Sequence, residues 1–441
     1  MSCTCLNLKN GCALNFFRTF YNSSELIKVG TSNSISLILK LISAFITSKL
    51  TALFLGSTGI SLIGNWRNAT ELIQKLSTGS IQNGVLRYAA DSKDDSEESK
   101  AFQSTLFYIG SMICLVVMLL TVIFAQTIND FIFISQNYSG YIRILAILLP
   151  LFTINIHLQS ILKAYEEFKS IVQINNFGHF FNVLCFGLGV YFFNLKGALL
   201  SVAVVPCFMG IYTAYVAYKS NLVFYKFRFL HVKKIYALGF RDYAFMTIIS
   251  TLIFPFTYLS IRNLLAKELS LEASGYWEAM FRISTLYTAF ALSLINLVIL
   301  PKLANASSAT QFRGIVFQFY KQVMPVFVGG LILIYVLKTY IVEIVLSSEF
   351  LPITDLFLWQ EIGDLFRILA LVLVAQFHAK KMVWHYILTD ILLALGLYFS
   401  TFFLLDSYGV LSVVIGHAIT YVVYFLVVLF IFKRILTSEY T

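Results

Sequence analysis

Charge is what this chain has least of. Only 12% of its 441 residues are charged, while 59% are hydrophobic. A soluble domain carries about a quarter charged residues, so an ordinary globular domain is excluded. Loops on the side away from most lysines and arginines are short, which leaves no room for a soluble domain there. Short alternating strands are missing, which excludes a transmembrane barrel. Six cysteines, at positions 3, 5, 12, 114, 185 and 207, form no paired framework. Cys3-x-Cys5 alone does not make a zinc site, so neither disulfide nor metal is expected. Nucleotide loops, catalytic triads and metal motifs are absent too. The expectation is a protein without cofactor that is not an enzyme. The N-terminal tail lacks a basic segment followed by an apolar run and a small-residue cleavage site, so the first span is expected to do the targeting.

What is there is hydrophobic length. Apolar runs of about 20 residues recur along the whole chain, as in a polytopic helical membrane protein. The expected spans are 26–51, 59–89, 102–126, 139–163, 171–194, 196–219, 241–262, 275–304, 322–346, 354–378, 383–405 and 409–433. The fold class is therefore all-α, with about twelve transmembrane helices. A tail over 1–25 precedes a first six-helix lobe over 26–219. A linker over 220–240, basic from Lys219 to Arg241, leads to a second lobe over 241–441.

Lysines and arginines crowd one side, among them Lys28, Arg87, Lys93, Lys163, Lys169, Lys233, Lys302, Lys380 and Lys433. The other side offers little beyond Lys49, Lys196, Arg262, Lys267 and Lys338. The positive-inside rule places both termini in the cytoplasm. That bias and anionic headgroups account for the net charge of +10 without nucleic acid. The acidic run Asp91 to Glu98 reads as a solvated cytoplasmic loop.

The halves resemble each other. Gly59 and Gly275 each precede a long polar helix with a tryptophan near its start, Trp66 or Trp277, and a basic end, Arg87 or Lys302. Either this is a parallel repeat or two amphipathic helices look alike by chance.

Polar residues inside spans mark candidate function. In the first span Asn33, Ser36, Lys40, Ser43 and Thr47 recur at three- and four-residue spacing, on one helical face. Lys40 either snorkels to an interface or stands as a fixed charge on a wet cavity. The second span carries Arg67, Glu71, Gln74 and Thr78 on one face. The eighth carries Glu278, Arg282, Thr285 and Asn296, and the tenth Gln360, Asp364 and Arg367. In each, acid and base are three or four apart and can pair within the helix. Pairing lowers the cost of burial, so the pairs are either structural or part of a binding site. Subtracting them leaves Lys40 and Arg262 without an acidic neighbour in sequence, and a cavity of net positive charge suits an anionic head. Asp390 is a lone acid, either a proton site or a polar packing contact. The histidines show no ligand spacing. Pro150, Pro206 and Pro255 lie inside spans and are expected to kink them.

A set of short stretches then gives a family resemblance. They are Lys40 and Lys49, the turn Gly56-Ser57-Thr58-Gly59, Asn65-Trp66-Arg67, and Asn83-Gly84-Val85 with Tyr88. Others are Tyr258 to Leu265 with Arg262, Gly275-Tyr276-Trp277 and, most specific, Asp355 to Asp364. From about Leu26 onward the chain resembles the lipid-linked oligosaccharide flippases of the multidrug/oligosaccharidyl-lipid/polysaccharide exporter superfamily, in the branch of the O-antigen and enterobacterial common antigen translocases. The resemblance implies two lobes around a central cavity that works by alternating access. It implies an undecaprenyl-pyrophosphate-linked repeat unit as substrate, moved to the periplasmic leaflet of the inner membrane. The cavity residues would be Lys40, Arg67, Glu71, Arg262, Glu278, Arg282, Asp364 and Arg367. Partners in keeping with it are membrane lipids and the polymerase and chain-length regulator of the same pathway.

Two other readings compete. A cation-extruding drug exporter would share the fold but should carry unpaired acids in its cavity, whereas the unpaired charges here are basic. A membrane-embedded polymerase or ligase should carry a long periplasmic loop, and the sequence has none.

Overall fold

The computed structural model describes residues 24–79, 97–133, 136–220, 252–380 and 382–437. Outside these lie most of the N-terminal tail, Asn83 to Tyr88 with Arg87, the acidic run as far as residue 96, and the linker beyond Ser220.

The chain is an all-helical, multi-pass membrane protein. Its first long helix, Ser24–Ser77, breaks at Gly56 into limbs 24–55 (α1) and 57–77 (α2). Gly56 has φ +60° and ψ −166°, a conformation open almost only to glycine. Next come α3 (Glu97–Ile123), the short α4 (Ala125–Ile132) and α5 (Ser139–Ala164). The helix Phe168–Lys219 breaks at Asn194 into 168–193 (α6) and 195–219 (α7). The second half has α8 (252–268), α9 (Leu271–Asn305) with a π-helical turn at Ile295–Ile299, and α10 (Ala309–Gln322). After α11 (Met324–Val345) and a 3₁₀ segment (Ser348–Leu356) come α12 (Phe357–Ala379), α13 (Val383–Tyr408) and α14 (Leu411–Thr437).

Among the described residues, nine helical stretches are long and apolar enough to cross a membrane. Two of these are the broken helices, which makes eleven spans, and α8 makes twelve. The expected spans recur with shifted ends. The second stops at Ser77, followed by Gly79 in a left-handed turn (φ +59°), rather than at 89. The seventh, expected over 241–262, is described from 252 and runs on to 268. The amphipathic α10 fills what the hydropathy pattern leaves as a loop.

Each half has its own apolar core. In the first, Trp66 is fully buried and its Nε1 donates to the Leu199 carbonyl oxygen at 2.8 Å, which pins α2 to α7. In the second, Ile368, Leu373, Phe377, Val428 and Phe432 pack α12 against α14. Small residues let these helices approach closely, as membrane helices require. Any side chain at Gly363 would run into His417 on α14.

The halves meet at one end, where α1 turns into α2, α8 into α9, and α11 into α12. Among the described residues, the side-chain hydrogen bonds that cross between halves involve Lys49, Ser57, Ser61, Asn65 and Phe131 of the first half. Lys49 Nζ donates to the Glu343 carbonyl oxygen at 2.7 Å. Ser57 N and Oγ both donate to Glu349 Oε1 at 3.2 Å. A carboxylate from the second half thus caps the first turn of α2, where orphan N–H groups and the helix dipole favour it. Gly275 sits against the Ser57 carbonyl, and any Cβ there would collide with that oxygen.

Candidate functional site

Just inside this end, α2, α8 and α9 bring four of the expected cavity residues together with Asn65. Asn65 and Arg67 come from α2, Arg262 from α8, and Glu278 and Arg282 from α9. Arg262 is 1% exposed, yet it is not the unpaired cation that sequence spacing suggests. Its Nη1 pairs closely with Glu278 Oε2, and its Nε donates to Asn65 Oδ1 at 2.7 Å. Sequence distance hides this pair because α8 and α9 are joined by a tight turn that folds them face to face. Glu278 Oε1 accepts from Arg282 Nε at 3.0 Å, so the expected pairing within α9 is present, but shared. Gly64 makes room for this carboxylate, since a Cβ there would lie 2.5 Å from Glu278 Cδ. The Arg262 guanidinium also lies 5.7 Å from the Trp277 ring centroid. Arg67 stands 5.6 Å from the Phe186 ring and feels both Arg282 and Glu278 electrostatically.

The cluster is rich in donors and poor in acceptors. Two arginines share one carboxylate and Arg67 lies within electrostatic reach of it, so three positive charges less one negative leave two positive charges. Nη2 of Arg262 and both Nη atoms of Arg282 are buried without a hydrogen-bond partner. An unmade hydrogen bond at a buried charged group costs about 1–3 kcal/mol or more. This geometry is matched by an anion with several oxygens, which guanidinium forks bind in bidentate fashion.

Asp364 and Arg367 belong elsewhere, inside the second half. Asp364 is fully buried. Its Oδ2 accepts from Ser284 and Tyr287 at 2.6 Å and from Gln360 at 3.2 Å; its Oδ1 lies 3.2 Å from His417 Nε2. Arg367 Nη1 lies 3.7 Å from Oδ1, an ion pair across one helical turn as the spacing suggests. Ser284, Tyr287 and His417 escape a motif search, because what joins them is packing of α9, α12 and α14.

Glu71 does not pair with Arg67. It is exposed, and its Oε1 meets Lys75 Nζ at 2.6 Å, one turn further on. Arg67 instead lies over the Phe186 ring of α6, within electrostatic reach of Arg282 and Glu278. Lys40 is exposed, while Ser36, Ser43 and Thr47 of the same face are buried. Ser43 donates to the His179 carbonyl oxygen on α6 at 3.3 Å. That part of the polar stripe therefore packs helix against helix, and Lys40 lies within electrostatic reach of His179. Asn296 is exposed in the π-helical turn, away from the cluster. Asp390 is buried beside Tyr386, with its Oδ2 unpartnered.

Comparison with known proteins places this architecture. The Lipid III flippase of Escherichia coli (strain K12) is 23% identical over 401 residues, 91% of this chain and 96% of that protein. The Lipid III flippase of Shigella flexneri matches to the same extent. Among solved structures, a multidrug resistance MATE family transporter of the MOP superfamily in its inward-facing conformation superposes with a TM-score of 0.77. It is 12% identical and covers 93% of this chain and 100% of that one. The lipid II flippase MurJ, in an inward closed conformation, superposes with a TM-score of 0.71. It is 14% identical and covers 92% of this chain and 87% of that one. At such identities the structural likeness establishes the two-lobe fold. A family model described as "polysaccharide biosynthesis protein" matches residues 72–355, more than half the sequence, and the chain belongs to that family.

Proposed function

We propose that this protein flips an undecaprenyl-pyrophosphate-linked oligosaccharide from the cytoplasmic to the periplasmic leaflet of the inner membrane, during synthesis of a surface polysaccharide of the O-antigen type. The observation that carries this reading is the arginine cluster. Arg262 and Arg282 share one acid and hold buried N–H groups with no acceptor, and Arg67 adds a third positive charge within electrostatic reach. A lipid pyrophosphate supplies ionised oxygens on two adjacent phosphoryl groups, which complement two surplus positive charges. The flippases among the relatives support the same substrate class.

The halves are latched at the end where α1 turns into α2. If both termini are cytoplasmic, that end is periplasmic, and the opposite end admits substrate. Lys40 precedes Gly56 by 16 residues, about 24 Å along the helix at 1.5 Å per residue. It therefore sits further toward the opposite end than the arginines, where an anion entering from that end meets it first. Outward passage of each negative charge is favoured by about 2.3 kcal/mol per 100 mV of inside-negative potential. The arginines lower the cost of taking the head out of water, and the membrane field draws it outward. Glu71, exposed beside Lys75, is not needed for this step; Asp364 and Arg367 hold the second lobe in shape.

The test is Arg282→Gln, which removes surplus donors but leaves the Arg262–Glu278 pair. Binding of undecaprenyl pyrophosphate by the purified chain should fall roughly ten- to a hundredfold, as lost charge-assisted bonds of about 1.5–3 kcal/mol imply. Export of the lipid-linked unit should fall with it at unchanged protein level. Wild-type export with Arg282→Gln would sink the head-group assignment. Drug hypersensitivity without lipid-linked precursor build-up, in a strain lacking the chain, would favour the drug exporter.

A further inference from the structure

Between the halves lies a second feature that the arginine cluster does not use. It is a cleft of about 440 Å³, walled by α2, α3 and α4 of the first half and by α8 of the second. That volume falls in the range of small-molecule sites, about 300–1,000 Å³. Leu72, Ile73, Leu120, Phe124, Pro255 and Leu259 are representative of its almost wholly apolar lining. Leu120 and Phe124 are exposed on the membrane-spanning surface, so the cleft opens sideways. Phe131 of α4 and Phe256 of α8 stack across it, with centroids 5.7 Å apart and planes within 16°.

The inner end of the cleft adjoins the arginines. Asn68 and Ala69, which line it, follow Arg67 directly on α2. Leu259 lies one turn before Arg262 on the same face of α8. A ligand at this boundary would meet surplus positive charge beside a lateral apolar slot, with Asn68 and Ala69 between them on α2. The complement of that arrangement is an amphiphile whose anionic head joins directly to a long apolar chain.

We infer that this cleft holds the proximal isoprene units of the polyprenyl chain while its pyrophosphate occupies the arginine cluster. The inference rests on the proposed substrate. A bilayer is as apolar as the cleft, so burial alone gives the chain little reason to leave the lipid. Attachment to a head fixed one turn away supplies the reason, because it raises the local concentration of the tail at the slot. Both halves contribute walls, so the slot changes shape as the lobes move, and the tail stays at membrane depth while the head crosses.

The test uses the full chain in nanodiscs of phosphatidylethanolamine and phosphatidylglycerol. A diazirine amino acid replaces Leu120, or Phe403 on the lipid-facing side of α13 as a control. Undecaprenyl pyrophosphate is added, and adducts are identified by intact mass. Polyprenyl adducts should form at position 120, and phospholipid adducts at 403. Thr127→Trp fills the cleft from an exposed position and should cut the polyprenyl adduct at 120 about tenfold. Phospholipid adducts alone at 120 would overturn the inference and make the cleft a site for structural lipid. Inorganic pyrophosphate separates the two proposals. If it competes for undecaprenyl pyrophosphate while no adduct forms at 120, the head site stands and the tail site fails. If undecaprenol labels 120 as well as its pyrophosphate does, the slot stands and the head site fails.

Discussion

The molecule buries two ionic clusters, and they are built to opposite plans. Around Asp364 one carboxylate accepts from Ser284, Tyr287 and Gln360 and lies against His417 and Arg367. All of these belong to the second half. Around Glu278 one carboxylate must serve both Arg262 and Arg282, and the members come from both halves. The first cluster commits its acid fully and sits within a single lobe. The second leaves three guanidinium nitrogens without a hydrogen-bond partner, against Nη1 of Arg367 alone in the first, and sits on the boundary between the halves. A buried charge network whose acid is met from every side and that is confined to one lobe reads as scaffold. One that is donor-rich and shared between lobes reads as a receptor for an anion.

The comparison is broken most forcefully by removing each acid. Glu278→Gln leaves two arginines buried without a counter-charge, and Asp364→Asn leaves Arg367 in the same position. Breaking a buried pair costs about 3–5 kcal/mol, so both variants should lose thermal stability in detergent. They should differ in rescue. An anion that takes the place of the missing carboxylate stabilises by mass action, about 2.7 kcal/mol at a hundred times its Kd. Pyrophosphate or undecaprenyl pyrophosphate should therefore restore Glu278→Gln and leave Asp364→Asn unchanged. Equal rescue, or none for either, would erase the distinction between scaffold and receptor.

How far the sequence reveals this depends on which contacts are local. The all-α, twelve-span plan is legible because hydropathy length is a local signal, and the Gly56 break falls in a turn that a span boundary already demands. The Glu278–Arg282 and Asp364–Arg367 pairs are legible for the same reason, at spacings of four and three. Arg262 has no acidic neighbour in sequence because its acid lies on the next helix. Arg67 and Glu71 share a helical face, but the face is wide: Arg67 lies over Phe186 of α6 while Glu71 reaches Lys75. The amphipathic α10 escaped because its apolar face is too sparse for a span. Glu349 gave no signal at all, since a carboxylate that caps a helix nearly three hundred residues away is visible only in the fold. Trp66 and Trp277 start similar helices but do different things, one pinning α2 to α7 and the other lying against a guanidinium.

A smaller effect should come from Gly275→Ala. The added methyl meets the Ser57 carbonyl, so α2 and α9 cannot approach as they do. Ser61 and Ser274 place their hydroxyl oxygens 2.9 Å apart across that contact. Cysteines at these two positions should cross-link readily in the otherwise wild-type chain and poorly with Gly275→Ala. A pair within the second lobe, Ser400 and Thr420 (3.2 Å apart) replaced by cysteines, should cross-link equally in both backgrounds. Unchanged cross-linking at 61–274 would mean that the boundary is no more sensitive than the scaffold.

The smallest effect is expected at Glu71, and it sharpens the comparison from outside. Glu71 lies one turn from Arg67 and is acidic, so a receptor drawn from sequence alone would include it. In the structure its side chain is 53% exposed and that of its partner Lys75 is 44% exposed. An exposed i,i+4 pair contributes about 0.3–0.5 kcal/mol, because water already solvates both charges and salt screens them. Nothing in the arginine cluster then depends on it. Glu71→Ala should leave the unfolding temperature, pyrophosphate competition and export close to wild type, where Arg282→Gln changes the last two. The side-by-side measurement is export of the lipid-linked unit in a strain carrying only the variant. Loss of export in Glu71→Ala as severe as in Arg282→Gln would place the exposed carboxylate inside the receptor and move its boundary one helical turn along α2.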